Sequence, residues 1–285
     1  MVKINYSIVA AVGVAILVIA AIGFVVYGNA FDRPDGGPEK ARMTVTDMSG
    51  RTVTLNAPVE RIVIMESSKT AELAAIAGDG FAEKIVGWDS DFKRYAGDEY
   101  AVFVEKCPQL ADIPEVGLLD DNTFSIEKTI SLKPDVVIMQ NWQLLRAKEA
   151  TTDALNKLER AGIPVVFLDF YTDPMANSTK SMLLLGEILG KEDRAQEIVN
   201  FYNEQTEPVY SRLATINGTK PSVYIECGIN GPSSYANTYG DVAWGSVVRR
   251  VGGNNIAESL LAGTTKAISP EYLVSQNPDI IILTG

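Results

Sequence analysis

The sequence contains no histidine in 285 residues. That absence removes each site that needs an imidazole: the Ser-His-Asp triad, the histidine–carboxylate zinc centre, and haem on a histidine axial ligand. Cysteine is almost as scarce, with only Cys107 and Cys227, far apart in the chain. Two isolated thiols do not make an iron–sulfur site. They read as small buried hydrophobes more readily than as a bridge, although a disulfide is allowed outside the cell. Positive charge is also short: 25 Lys and Arg stand against 36 Asp and Glu, a net charge of −11. Nucleic acid is therefore not the expected partner, because phosphate contacts need basic side chains. Neither a G-x-x-x-x-G-K-S/T nor a G-x-G-x-x-G stretch occurs, so the phosphate-cradling loops that such motifs build are missing.

What remains is 46% apolar and 21% charged, the composition of a folded chain rather than a disordered polyelectrolyte. Its length exceeds the usual single core of about 100 to 200 residues, which predicts two lobes. Residues 8–27 run without a charge (IVAAVGVAILVIAAIGFVVY). At about 1.5 Å per residue such a helix spans the bilayer core of about 30 Å. Lys3 precedes the run, and Asp32, Asp35 and Glu39 follow it, which places the remainder outside the cytoplasm. We expect 1–30 to be an uncleaved membrane anchor, with a cleavable signal segment, and a secreted or periplasmic body, as the alternative. No cysteine follows the run for a lipid anchor, and the Pro/Gly-rich stretch 31–42 reads as a tether. Asn177 and Asn217 open glycosylation sequons, which matter only in a host that uses them.

Past the tether the pattern is α/β. Residues 43–55 alternate around a Ser-Gly turn as a hairpin. Strands are expected at 61–65, 84–88, 134–139 and 164–170, with helices at 69–77 and 150–161. These strands are apolar along their length, as in a parallel sheet covered on both faces. Helical periodicity over 175–189 and 193–213 joins this lobe to a second, which shows strands at 220–226 and 280–283 and a helix at 242–251. The lobes therefore run from 43–174 and 191–285, with a bridging helix at 175–190. The second reads as truncated, because a doubly wound lobe normally has at least one more helix and strand. An internal repeat supports the pairing of lobes: SIEKTISLKPDVVI from Ser125 aligns without a gap on SPEYLVSQNPDIII from Ser269. In each copy Ser is a natural N-cap, Glu sits in the first helical turn, and Pro-Asp leads into a strand.

These stretches, with VTDMSGRTVTLNAPVERIV, LERAGIPVVFLD, LLGEILGKEDRA and VGGNNIAE, resemble in order the substrate-binding proteins of ABC importers for ferric siderophores, haem and cobalamin. The resemblance runs from about Met43 to Gly285 and implies two Rossmann-like lobes bridged by a long, fairly rigid helix. It further implies a monomer with a ligand cleft between the lobes, no catalysis, no intrinsic cofactor, and delivery to membrane permease subunits and their ATPase. Docking on the permease through one glutamate per lobe is also implied, and by motif position these are Glu127 and Glu271. Read alone, both could simply complete a helix N-terminus.

Ligands of open α/β sheets bind beyond the carboxyl ends of the strands. That rule selects Glu66, Ser67, Ser68, Trp88, Phe92, Tyr95, Trp142 and Tyr171 from the first lobe, and Asn230, Tyr235, Tyr239 and Lys266 from the second. The aromatic content favours a flat or greasy ligand such as an iron chelate, haem or a corrinoid. Charge leaves the choice open. Lys69, Lys93, Arg94, Arg146 and Lys266 suit an anionic chelate, whereas Glu66, Asp89 and Asp91 suit a cationic or neutral one. Two other functions compete: an α/β enzyme or redox protein holding a metal or cofactor, and an orphan sensor ectodomain.

Overall fold

The computed structural model describes residues 41–228, 231 and 235–284. The expected membrane helix at 8–27, most of the tether and Asn230 lie outside the described residues. Among those described, no helix is long and apolar enough to cross a membrane.

The hairpin forms from β1 (Ala41–Thr46) and β2 (Thr52–Ala57), paired antiparallel from Ala41↔Ala57 to Thr46↔Thr52. Buried Asp47 closes it by accepting from Ser49 N, Arg51 N and the Ser49 hydroxyl. The first sheet follows: β3 (Ile62–Ile64), β4 (Ile85–Trp88), β5 (Val136–Gln140) and β6 (Val165–Leu168), all parallel in the order β4-β3-β5-β6. Alternation explains why its strands are apolar throughout. Ile62, Ile64, Val136, Ile138, Val166 and Leu168 pack on one face against the hairpin and the helices Thr70–Ala77 and Pro174–Leu189. Val63, Met65, Val137, Met139, Val165 and Phe167 pack on the other with Ala154 and Leu158 of the helix Lys148–Arg160.

A separate sheet holds β7 (Ser222–Cys227), β9 (Asn254–Asn255) and β11 (Ile280–Thr284), parallel in the order β11-β7-β9. Between them in the chain, β8 (Asn237–Tyr239) pairs antiparallel with β10 (Thr265–Ala267). The order β9-β7-β11 repeats β4-β3-β5, with the two serine-capped helices Ile126–Ser131 and Pro270–Gln276 leading into β5 and β11. No described strand stands outside β11 as β6 stands outside β5, and Ile281 and Leu283 are 60% and 77% exposed.

Two helices connect the sheets, Pro174–Leu189 and Glu192–Leu213. Asp173 caps the first, and Pro174 takes the first helical position. Gly190, at φ 61, ends it in the left-handed conformation while Lys191 N donates to Gly186 O. The pair crosses closely at Gly186, where an added Cβ would stand 2.4 Å from that of Ala195.

Two segments expected to be strand-end loops are helical, Asp91–Tyr95 and Asn141–Arg146, and a further helix forms at Gly97–Lys106. In Gly97–Lys106 a narrow apolar stripe of Tyr100, Phe103 and Val104, at i, i+3 and i+4, packs on the core beneath a charged outer face. Both cysteines are free, with Cys227 buried.

Candidate functional site

The site begins at the carboxyl ends of β3 and β4. Glu66 leaves β3 in the left-handed region, at φ 75, a costly conformation for a residue with a side chain. Asp89 holds it there. This buried carboxylate accepts from Glu66 N at 2.5 Å, Ser67 N at 2.9 Å, the Ser67 hydroxyl at 2.6 Å and Asp91 N at 3.2 Å. The two loops are thereby clamped together, and Glu66, Ser68 and Asp91 line a cavity of about 540 Å³.

Its walls come from both halves of the chain. Arg94 and Tyr95 continue from Asp91, on the same face of the helix Asp91–Tyr95. The helix Asn141–Arg146 contributes Trp142, Gln143 and Arg146. Tyr171 follows β6, and its hydroxyl lies 2.6 Å from Thr265 Oγ1 on β10. Cys227, Asn237, Tyr239 and Lys266 complete the far wall. Trp142 Nε1 donates to Glu66 Oε2 at 2.6 Å, and the Trp142 and Tyr171 rings lie 6.3 Å apart. Arg146 stacks over Trp142 at 5.4 Å, with its guanidinium 4.0 Å from Asp120. Arg94 pairs with Asp121 at 2.9 Å.

Burial dominates the acid–base behaviour of this cavity. It pushes the Glu66 carboxyl up to about 7, against the opposing pull of Lys69 and the Trp142 N–H. Asp91 is pushed up to about 8, first by burial and then by the charges of Asp89, Glu66 and Asp120, with Arg94 opposing. Asp120 is raised by burial despite Arg146. Among the described residues, no three His, Cys, Asp or Glu side chains converge as a metal site.

Of the residues expected from sequence, Glu66, Ser68, Tyr95, Trp142, Tyr171, Tyr239 and Lys266 line the cavity. Four others do not, and the expectation that they contact ligand is corrected. Trp88 and Phe92 are 1% and 0% exposed, locked with Tyr100 in edge-to-face contacts at 5.6–6.1 Å. Phe92 faces inward because the helical period turns it away from Asp91, Arg94 and Tyr95. Ser67 is fully buried beneath the floor on Asp89. Tyr235 stands exposed off the cavity lining. Lys69 and Lys93 also point elsewhere, pairing with Glu72 and Glu115. Asn177 lies in the first turn of the helix Pro174–Leu189, with its side-chain nitrogen on Asp169 at 2.9 Å, whereas Asn217 is exposed.

Glu127 and Glu271 are both exposed in the first turns of their helices, behind Ser125 and Ser269, whose hydroxyls accept from Lys128 N and Tyr272 N. Sequence reasoning did not single out Asn237 and Thr265 within the second-lobe loops, and it missed Gln143 and the loop 118–121. Gln143 was within reach of the strand-end rule, three residues past β5. The loop carries no periodic pattern that could have marked it.

A family model described as "Periplasmic binding protein" matches residues 62–285. The chain belongs to that family. A solved structure of the TroA-like periplasmic binding protein FepB from Veillonella parvula is 34% identical with a TM-score of 0.73, covering 85% of this chain and 70% of its own. The uncharacterized ABC transporter substrate-binding lipoprotein YvrC of Bacillus subtilis is 26% identical over 275 residues, 95% of this chain and 79% of that protein. The molybdate-binding protein MolA of Haemophilus influenzae is 24% identical over 84% of this chain and 68% of its own length. Other structures of the same fold are described as binding a ferric siderophore complex, haem or vitamin B12.

Proposed function

We propose that this periplasmic binding protein is the extracytoplasmic receptor of an ABC importer, that it captures a metal chelate in the cavity between its two parallel sheets, and that it hands the chelate to a membrane permease. The observation that carries the reading is the cavity itself. It lies beyond the strand ends, takes walls from both halves of the chain, and combines Tyr95, Trp142, Tyr171 and Tyr239 with a few polar groups. Its volume of about 540 Å³ suits one small-molecule ligand. Relatives named for siderophore, haem, cobalamin and molybdate binding support the cargo class. As a receptor the protein works on its cargo by binding and release, without a chemical step. The apolar run 8–27 tethers the body to the outer face of the membrane, and Glu127 with Glu271 meets the permease. Titrating the full chain with ferric siderophores, haem, cobalamin and molybdate, and following tryptophan emission and binding heat, tests the reading. Saturable one-to-one binding of one of them is expected. A folded full chain that binds none of them overturns it.

A further inference from the structure

Two polar side chains of the cavity wall carry groups that meet no hydrogen-bond partner among the described residues. Asp91 is 7% exposed, and its carboxylate makes no hydrogen bond or ion pair among the described residues, although it lines the cavity. Gln143 is 2% exposed. Its Oε1 accepts from Gln140 N at 2.9 Å, which fixes the orientation of the amide and leaves Nε2 without an acceptor. Both groups face the cavity, so a ligand seated there can supply their partners.

The charges around them set the sign of that ligand. Arg94 is occupied by Asp121, and Arg146 stands over Trp142 near Asp120. Lys266 is exposed, on β10. Among the described residues no Lys or Arg makes an ion pair with Asp91 or Glu66, and Lys266 lines the cavity from the β10 side. Burial keeps Asp91 protonated in the empty cavity at neutral pH; a cation seated on it would draw the carboxyl to its ionised form and gain a counter-ion, whereas an anionic chelate would gain only a hydrogen bond from the neutral carboxyl. Resting on the receptor reading above, we propose that Asp91 and Gln143, with Glu66 beside them, are the specificity pole of the cleft. The pole selects a cationic or neutral chelate that carries amine or amide groups, with its N–H on Asp91 and its carbonyl on Gln143.

The test is calorimetry on the full chain with four probes. Ferrioxamine B is a cationic hydroxamate chelate with amide groups, and cyanocobalamin is a neutral corrinoid ringed by amides. Ferric citrate and molybdate are anions. Binding is expected from the first pair, tighter by about tenfold or more than from either anion. Asp91→Asn should weaken the preferred probe by about tenfold and leave the anions unchanged or tighter. Gln143→Glu keeps the acceptor for Gln140 N while removing the free donor, and should weaken the neutral probe cyanocobalamin, whose carbonyl loses that donor. Tightest binding of ferric citrate or molybdate, or equal effects of Asp91→Asn on both pairs in a folded variant, would refute the pole and leave the receptor reading standing. Failure of all four probes and of the remaining siderophores and haem removes the receptor reading, and the pole with it.

Discussion

Asp135 and Asp279 make the same bond in two different sheets. Asp135 Oδ2, at the entrance to β5, accepts from Glu60 N at 2.9 Å and Arg61 N at 3.0 Å, just before β3. Asp279 Oδ2, at the entrance to β11, accepts from Ser222 N at 2.8 Å and its hydroxyl at 2.7 Å, at the start of β7. The aspartate of each Pro-Asp pair thus pins the amino end of the neighbouring strand, satisfying donors that precede the ladder. The duplication visible in sequence is a duplication of this staple.

Removing either staple leaves backbone donors short of a partner in an otherwise parallel sheet. Asp135→Ala should destabilise the protein by about 0.5–1.5 kcal/mol, and Asp279→Ala by less because its surroundings are more exposed. Urea denaturation of the two single variants and the double variant checks this. The losses should add, since the residues serve separate sheets. Strong non-additivity would mean that the two sheets do not behave as separate units.

Tryptophan emission should divide cleanly by position. Trp142 lines the cavity, bonded to Glu66 and stacked under Arg146. Trp88 is sealed among Phe92 and Tyr100, and Trp244 is about half exposed. Ligand-induced quenching should disappear in Trp142→Phe and persist in Trp88→Phe. Persistence of the full quench without Trp142 would place the ligand elsewhere.

The fold was legible in the sequence and the site only partly so, for a physical reason. Ile62–Ile64 and Val136–Gln140 are buried on both faces, so their composition alone announces parallel strands. The strand-end rule then brought Glu66, Trp142 and Tyr171 to the correct edge. It did not separate Asp91 from Phe92, which are neighbours in sequence on opposite sides of a short helix. Nor did it foresee that Asp89 serves the backbone beneath the cavity, because one carboxylate reads like another until the donors around it are known.

Stability should depend on pH through Asp91. Glu66, Asp89 and Asp120 face it with negative charge and Arg94 with positive, and burial holds its carboxyl up near 8. The unfolded chain ionises this group near the ordinary 3.8, so from about pH 4 to 8 the folded state retains a proton that the unfolded state has lost. Its contribution to stability is complete below pH 4 and declines as pH rises through that window. Glu66, raised to about 7, acts in the same direction. Asp91→Asn should therefore melt close to the parent at pH 4.5 and about 2–4 °C or more above it at pH 8. Melting curves at both values decide the matter, and a difference independent of pH would disprove the charge argument.

Glu127 and Glu271 separate docking from mere helix support. Each is the second residue of its helix, two past the N-cap, so the structural alternative assigns it about 0.3–1 kcal/mol of macrodipole stabilisation. Both helix starts lie at the cavity side of their sheets. Val116 bridges the carboxyl end of β4 to Ser125 through bonds of 2.7 and 2.8 Å, and Ile268, just before Ser269, donates to Ala236 beside β8 at 2.8 Å. Under the proposed receptor function, these two exposed carboxylates would serve as a pair of contact points for one partner surface carrying cations. Replacing both with glutamine keeps shape and hydrogen bonding while removing the charge. The double variant should lose stimulation of the reconstituted importer's ATPase, with each single variant impaired less, and should keep its chelate affinity and melt within a few degrees of the parent. Full stimulation by the double variant would leave the two glutamates as helix caps only.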